Sequence, residues 1–259
     1  MPRSCGRGLP LDRGERDGGL GDLAGGCFFS YAYAVSADGA LVAGGGTNAL
    51  APTAATWTAA GGWTDLGFAA IDGNSSVIIA VTADGTVAVG NHRIDASPSY
   101  QAFRWSSAGG LELLGDLEGG ALFASALDVA DDGATIVGFG TSAAGVEAFR
   151  WTEAGGMTGL GDLEGGAFES RALALAPDAS IVVGTGTTDA GLEAAVWEGA
   201  LPIARLADLL AARGVVVPEG FVLSEAVAIT IVGRTVVVAG NGTSPDGDPE
   251  GWVARFCAE

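Results

Sequence analysis

From residue 19 onward, short apolar runs alternate with compact polar breaks. Ser170–Ala176 is small and aliphatic, Pro177–Ser180 interrupts it, and Ile181–Gly184 is β-branched. A loop at 187–191 leads to a third apolar run ending at Trp197, and a fourth ends at Asp208-Leu209. Such runs, bounded by Gly, Asp and Pro, read as strands. The Asp-Gly pairs at 38–39, 84–85 and 132–133 read as hairpin turns. Helical spacing is confined to Pro202–Arg213, through Leu206, Leu209 and Leu210, with Gly214 to end it.

The strand pattern repeats. A Trp recurs at 57, 105, 151, 197 and 252, a Gly closing a β-branched run at 44, 90, 138, 184 and 240, and an Asp before it at 38, 84, 132 and 178. Three markers in step at a period near 46 residues indicate one structural unit written repeatedly. Four short strands per unit predict an all-β fold, a five-bladed β-propeller of four-stranded antiparallel blades. The units fall near 30–67, 75–117, 124–163, 169–209 and 224–256. The fifth lacks a fourth strand, and the spare segment 19–23 (Leu20-Gly-Asp-Leu23) is expected to supply it, closing one domain over 19–259 with an N-terminal strand. Residues 1–18 hold four of the twelve Arg and almost nothing apolar, so they read as a disordered tail rather than a signal peptide.

Composition narrows the partners. Of 259 residues, 48% are hydrophobic, 17% are charged and 44 are Gly; the net charge is −19, and every basic residue is Arg. An acidic surface repels phosphate backbones and anionic membranes, so no nucleic acid is expected. No apolar run reaches the ~18 residues of a membrane span. One His and three Cys exclude a His/Cys-rich metal site. No cofactor is expected, and the chain is expected to act as a monomer.

The strings Gln101-Ala-Phe-Arg-Trp105 and Glu147-Ala-Phe-Arg-Trp151 resemble the bacterial HAF repeat family. So do Gly155-Gly-Met-Thr-Gly-Leu-Gly-Asp-Leu163, Val35-Ser-Ala-Asp-Gly39 and the closing segment 244–256. Gln101 and Glu147 stand where that family has its His, and the remaining units are degraded to Ala54-Ala-Thr-Trp57 and Ala194-Ala-Val-Trp197. The resemblance covers nearly all of 19–257. It implies an extracellular or surface-associated bacterial repeat protein and implies no catalytic residues.

Candidate chemistry is sparse. The Asp of the Asp-Leu strings (Asp22, Asp65, Asp116, Asp162, Asp208) recurs in every unit. It could form a carboxylate ring for a cation, but repetition points to structure: an acceptor for turn N–H groups, or a partner for Arg104 and Arg150. The five matching Trp read as core packing between blades rather than ligand platforms. Asp246, Asp248 and Glu250 have the spacing of a calcium loop without its full pattern. His92 has no nucleophile motif around it. Cys27 and Cys257 fall at opposite ends of their expected strands, which leaves a Cys5–Cys257 bridge open if the tail folds back.

Strand alternation puts the tight turns on one face and the longer segments 24–30, 45–54, 68–75, 91–100, 210–223 and 241–250 on the other. Variable loops on a rigid scaffold are where binding concentrates. That face carries the candidate ligand-binding residues Phe28, Phe29, Phe68, Tyr100, Phe123, Glu118 and Glu164, with Asp72 and Asp95 nearby. The expected function is a non-catalytic scaffold binding a protein or glycan. The alternatives are a structural or adhesive envelope module, and a propeller hydrolase acting on carbohydrate.

Overall fold

A computed structural model describes residues 19–68, 75–93 and 99–258. Asp72, Asp95 and Cys5 lie outside them. The strands form five antiparallel sheets of four, four, four, four and three strands, each in chain order. The chain divides into two units, residues 1–113 and 114–259.

The first unit holds two sheets. One is β1 (Gly25–Val35), β2 (Leu41–Asn48), β3 (Pro52–Thr58) and β4 (Gly62–Asp65). The other is β5 (Ser75–Val81), β6 (Val87–Arg93), β7 (Tyr100–Ser106) and β8 (Gly110–Leu113). Ala43, Ala54, Ile78, Ala88 and Phe103 form the core between them. The Ser76 hydroxyl accepts from Ala54 N–H, and Ala37 N–H donates to Ala83 O.

The second unit holds three. They are β9 (Gly119–Val129) to β12 (Gly156–Gly159), through β10 (Thr135–Ser142) and β11 (Val146–Thr152); β13 (Ser170–Leu175), β14 (Ile181–Thr188), β15 (Gly191–Glu198) and β16 (Ala204–Arg205); and β17 (Val222–Val232), β18 (Thr235–Thr243) and β19 (Pro249–Cys257). Helix α1 (Leu206–Ala212) follows β16 and ends before Gly214, whose φ is +74°. The cross-sheet bonds of the first unit recur: Ser170 Oγ accepts from Ala148 N–H, and Asp131 N–H donates to Pro177 O. Trp197 is buried and donates Nε1–H to Leu160 O, 3.0 Å away, on the preceding sheet.

One backbone feature explains the repeated glycine. The first strand of every sheet has a bulge, at Tyr33, Ile79, Leu127, Leu173 and Val227. Opposite it lie Gly44, Gly90, Gly138, Gly184 and Gly240. The bulge pushes a carbonyl into the space a side chain would need. A Cβ at those positions would overlap Tyr31 O, Val77 O, Ser125 O, Arg171 O and Glu225 O.

The structure corrects several expectations. The segment 19–23 is not a strand. Gly21, Gly115 and Gly161 share a left-handed φ of 79°, 83° and 74°, and each following Asp accepts the N–H seven residues on, from Phe29, Phe123 and Glu169. Gly-Asp-Leu is therefore the crossover into the next first strand. The fourth unit's outer strand is likewise Ala204–Arg205, with Asp208-Leu209 in α1. Several expected loops are continued strands: Phe28 and Phe29 lie in β1, Tyr100 in β7 and Phe123 in β9. Cys257 is a free, exposed thiol, so the Cys5–Cys257 bridge is not formed, while Cys27 is disulfide-bonded.

Candidate functional site

The recurring carboxylates serve the backbone. Asp162 accepts from Leu163 N–H, Thr187 N–H and Glu169 N–H at 2.8, 3.1 and 2.7 Å. Asp65 instead ends β4 and accepts from Asn48 Nδ2 and Thr53 Oγ1. Asp208 pairs with Arg205 at 2.9 Å. Among the described residues, no group of three His, Cys, Asp or Glu could hold a metal ion. The 244–248 segment closes on itself, with Ser244 N–H donating to Asp248 O and Gly247 N–H to Ser244 O.

Phe28, Phe29, Phe68 and Tyr100 fall in the first unit. Phe28 and Phe29 are 64% and 56% exposed, and Phe29 begins an edge-to-face ladder with Tyr31 and Tyr33, at 5.5 and 5.2 Å. Phe68 is not on the surface: it is 7% exposed, 4.6 Å from Phe103 and 4.9 Å from His92. Gly67, with φ +76°, aligns with Gly115 and Gly161, so Phe68 occupies the position that holds Asp116 and Asp162. The repeat glycine matching His92 is Gly46, Gly140, Gly186 or Gly242 elsewhere, where Leu23, Leu117, Leu163 or Phe221 closes over it. His92 fills that space in the second sheet, and burial lowers its pKa. Its Nδ1 and the Oε1 of Gln101, its cross-strand neighbour, are buried without partners among the described residues.

Phe123, Glu118 and Glu164 fall in the second unit. Phe123 is half-buried, 5.8 Å from Phe139, which carries the Arg171 guanidinium 4.5 Å above its ring. Glu118 is exposed on the crossover into β9. Glu164 is exposed at the matching place before β13 and lines a cavity of about 900 Å³. Leu163 and Ile203 supply its apolar wall, and Glu164, Asp189, Glu193, Asp208 and Arg205 its polar one.

Beside this cavity the fourth sheet departs from the repeat. Its outer strand pairs only Ala195↔Arg205 and Val196↔Ala204, whereas β11 and β12 pair over four positions, Phe149↔Gly159 to Thr152↔Gly156. The chain then turns into α1, and Arg205 and Asp208 on either side of that turn line the cavity. Arg205 Nε lies 2.9 Å from Asp208 and 3.6 Å from Glu193. Asp189 accepts Gly166 N–H at 2.9 Å, and Glu193 accepts the Thr188 hydroxyl at 3.3 Å. Three carboxylates and one guanidinium are thus held in place around an open volume. Asp189, Glu193 and Arg205 carried no motif. The signal that could have marked Glu193 is its place heading the third strand, where Gln101 and Glu147 stand.

A further carboxylate is unique to one unit. Asp128 occupies a first-strand position that is Ala34, Ala80, Ala174 and Ala228 elsewhere. It accepts Leu175 N–H on the next sheet and its neighbour Val129 N–H, at 2.8 and 2.9 Å. Burial raises its pKa to about 6, against these two bonds, and Asp131 adds to the rise.

No protein-family profile and no curated protein matches the chain. Solved structures do. TolB from Acinetobacter baumannii aligns with a TM-score of 0.51 at 12% identity, covering 89% of this chain and 55% of that one. A putative TolB from Agrobacterium tumefaciens gives 0.51 at 13%, covering 89% and 91%. A gluconolactonase from Xanthomonas campestris gives 0.43 at 18%, covering 90% and 77%. The chain spans about half the length of the Acinetobacter protein. The two TolB structures support a β-propeller as the fold class. No helix among the described residues is long and apolar enough to cross a membrane.

Proposed function

We propose that this chain is a non-catalytic binding scaffold whose five sheets are the blades of one propeller, and that its ligand is a neutral glycan. The observation that carries the reading is the cavity at the fourth sheet. Carboxylates already oriented by Arg205, Gly166 N–H and Thr188 accept hydrogen bonds from sugar hydroxyls with little reorganisation. Arg205 donates, and Leu163 and Ile203 take the apolar faces of a ring. Asp208 and Glu193 share one guanidinium, which holds both carboxylates in place to accept hydrogen bonds from hydroxyls.

The resemblance of the Ala-Phe-Arg-Trp strings supports a place in the HAF repeat family and at the cell exterior. The disulfide at Cys27 supports the same location, since disulfides persist in oxidising compartments. A neutral-oligosaccharide array tests the reading, followed by calorimetry on any hit with Glu164→Ala. Glu164 is exposed, so the variant should fold normally and bind about tenfold more weakly, a loss of about 1.4 kcal/mol. A blank array, or unchanged affinity in Glu164→Ala, would overturn it.

A further inference from the structure

β19 is the last strand in the order β17-β18-β19, and among the described residues no strand pairs with its outer edge. The other four sheets each have four strands. Cys257 O at the end of β19 accepts from Arg213 Nη1 at 2.8 Å, and the strand edge before it is a template for another extended chain.

Beside the same strand runs a second cavity, of about 440 Å³. Its lining is mainly apolar: Val216, Val217, Pro218 and Phe221 on one side, and Trp252 and Val253 of β19 on the other. Val216 and Val253 are 88% and 55% exposed. The charged residue of the lining is Glu250, and the segments that carry Pro218 and Pro245 continue into the exposed acids Glu219, Asp246 and Asp248.

The segment that the repeat pattern offers as a fourth strand is engaged elsewhere. Asp22 accepts Phe29 N–H, Gly21 O accepts the Ser30 hydroxyl, and Leu23 packs over Gly46. Residues 20–23 are therefore held at the entry to β1.

We propose that the outer edge of β19 and its flanking groove form a docking site for an extended strand of a partner protein, apolar at alternate positions and basic at its ends. Each part of the site selects one property. The bare edge selects extended backbone, since a helix has no free N–H or C=O groups to pair with it. The groove selects apolar side chains, which a strand presents to one face at every second residue. These acids, in a chain of net charge −19 without Lys, select basic flanks. This site is separate from the glycan cavity, and either can fail without the other.

The test uses the full chain and a synthetic nonapeptide alternating valine and threonine, with arginine at each end. Residue-resolved hydrogen exchange is followed along β19, and affinity by fluorescence anisotropy. The outward-facing amides of β19 should exchange freely in the chain alone and at least tenfold more slowly with saturating peptide. Val216→Asp, at an exposed position, should leave the melting temperature unchanged and weaken the peptide at least tenfold. Three results would each overturn the proposal: no slowing with peptide, equal affinity in Val216→Asp, or amides already protected in the chain alone. The last would assign the edge to the chain's own residues.

Discussion

Asp128 shows what one substitution does within a repeat. Four first strands carry Ala at its position, and the fifth instead carries a carboxylate, largely buried, that bonds across to Leu175 N–H. With a folded pKa near 6 against an ordinary 3.8, its contribution is most favourable below pH 4 and is lost as pH rises through 6. Asp131 is the charged neighbour that raises it further. The opposite sign holds at the turns, where the hydroxyls of Ser36 and Thr82 keep Asp38 and Asp84 below the usual carboxylate range. Their contribution is present above that range and fades in acid. Comparing wild type with Asp128→Asn by denaturant unfolding isolates the one group. Relative to the variant, wild type should lose about 1.4 kcal/mol between pH 5 and pH 7.5. A difference that does not change with pH would remove the buried charge from the account.

At the scale of the element, the glycine facing each bulge should be the least replaceable residue of its sheet. Gly184→Ala forces a methyl group against Arg171 O, and backbone cannot move aside as a side chain does. We expect a loss above the ~1–3 kcal/mol of ordinary overpacking. Gly156→Ala makes a control, since its φ of +67° is strained for Ala but the space is open, and it should cost about 1–2 kcal/mol. Similar melting temperatures for the two would refute the steric argument. These glycines, the Asp turns and the helix were legible in the sequence, because each rests on a local rule of backbone geometry. The Gly-Asp-Leu crossovers were not: two apolar residues around an Asp look like a strand end, and only the bond to an N–H seven residues on reveals the turn. The extended hairpins of β2–β3 and β18–β19 were hidden by Gly, Asn and Pro, which mark loops by composition although cross-strand pairing overrides them here. Phe68 read as exposed because it opens the expected loop 68–75, whereas it packs on Phe103 and His92. The fourth-sheet cavity was hidden for another reason: Glu193 and Arg205 are twelve residues apart and meet only through the pairing of β15 with β16.

For the whole molecule, charge sets the range of partners. With −19 spread over 259 residues and no Lys, long-range repulsion opposes any polyanion. Heparin and duplex DNA should not bind at physiological salt, and raising the salt concentration should not reveal binding. Tight, salt-sensitive binding to either, measured by anisotropy, would show that a local cluster of Arg outweighs the net charge. The bulge carries a different consequence. Each sheet has one place, facing its bulge, where a side-chain atom must be missing. Architecture of this kind tolerates wide drift in its letters, in keeping with 12–13% identity to chains aligned over 89% of its length. A search for distant kin would do better to look for five recurring gaps than for shared side chains.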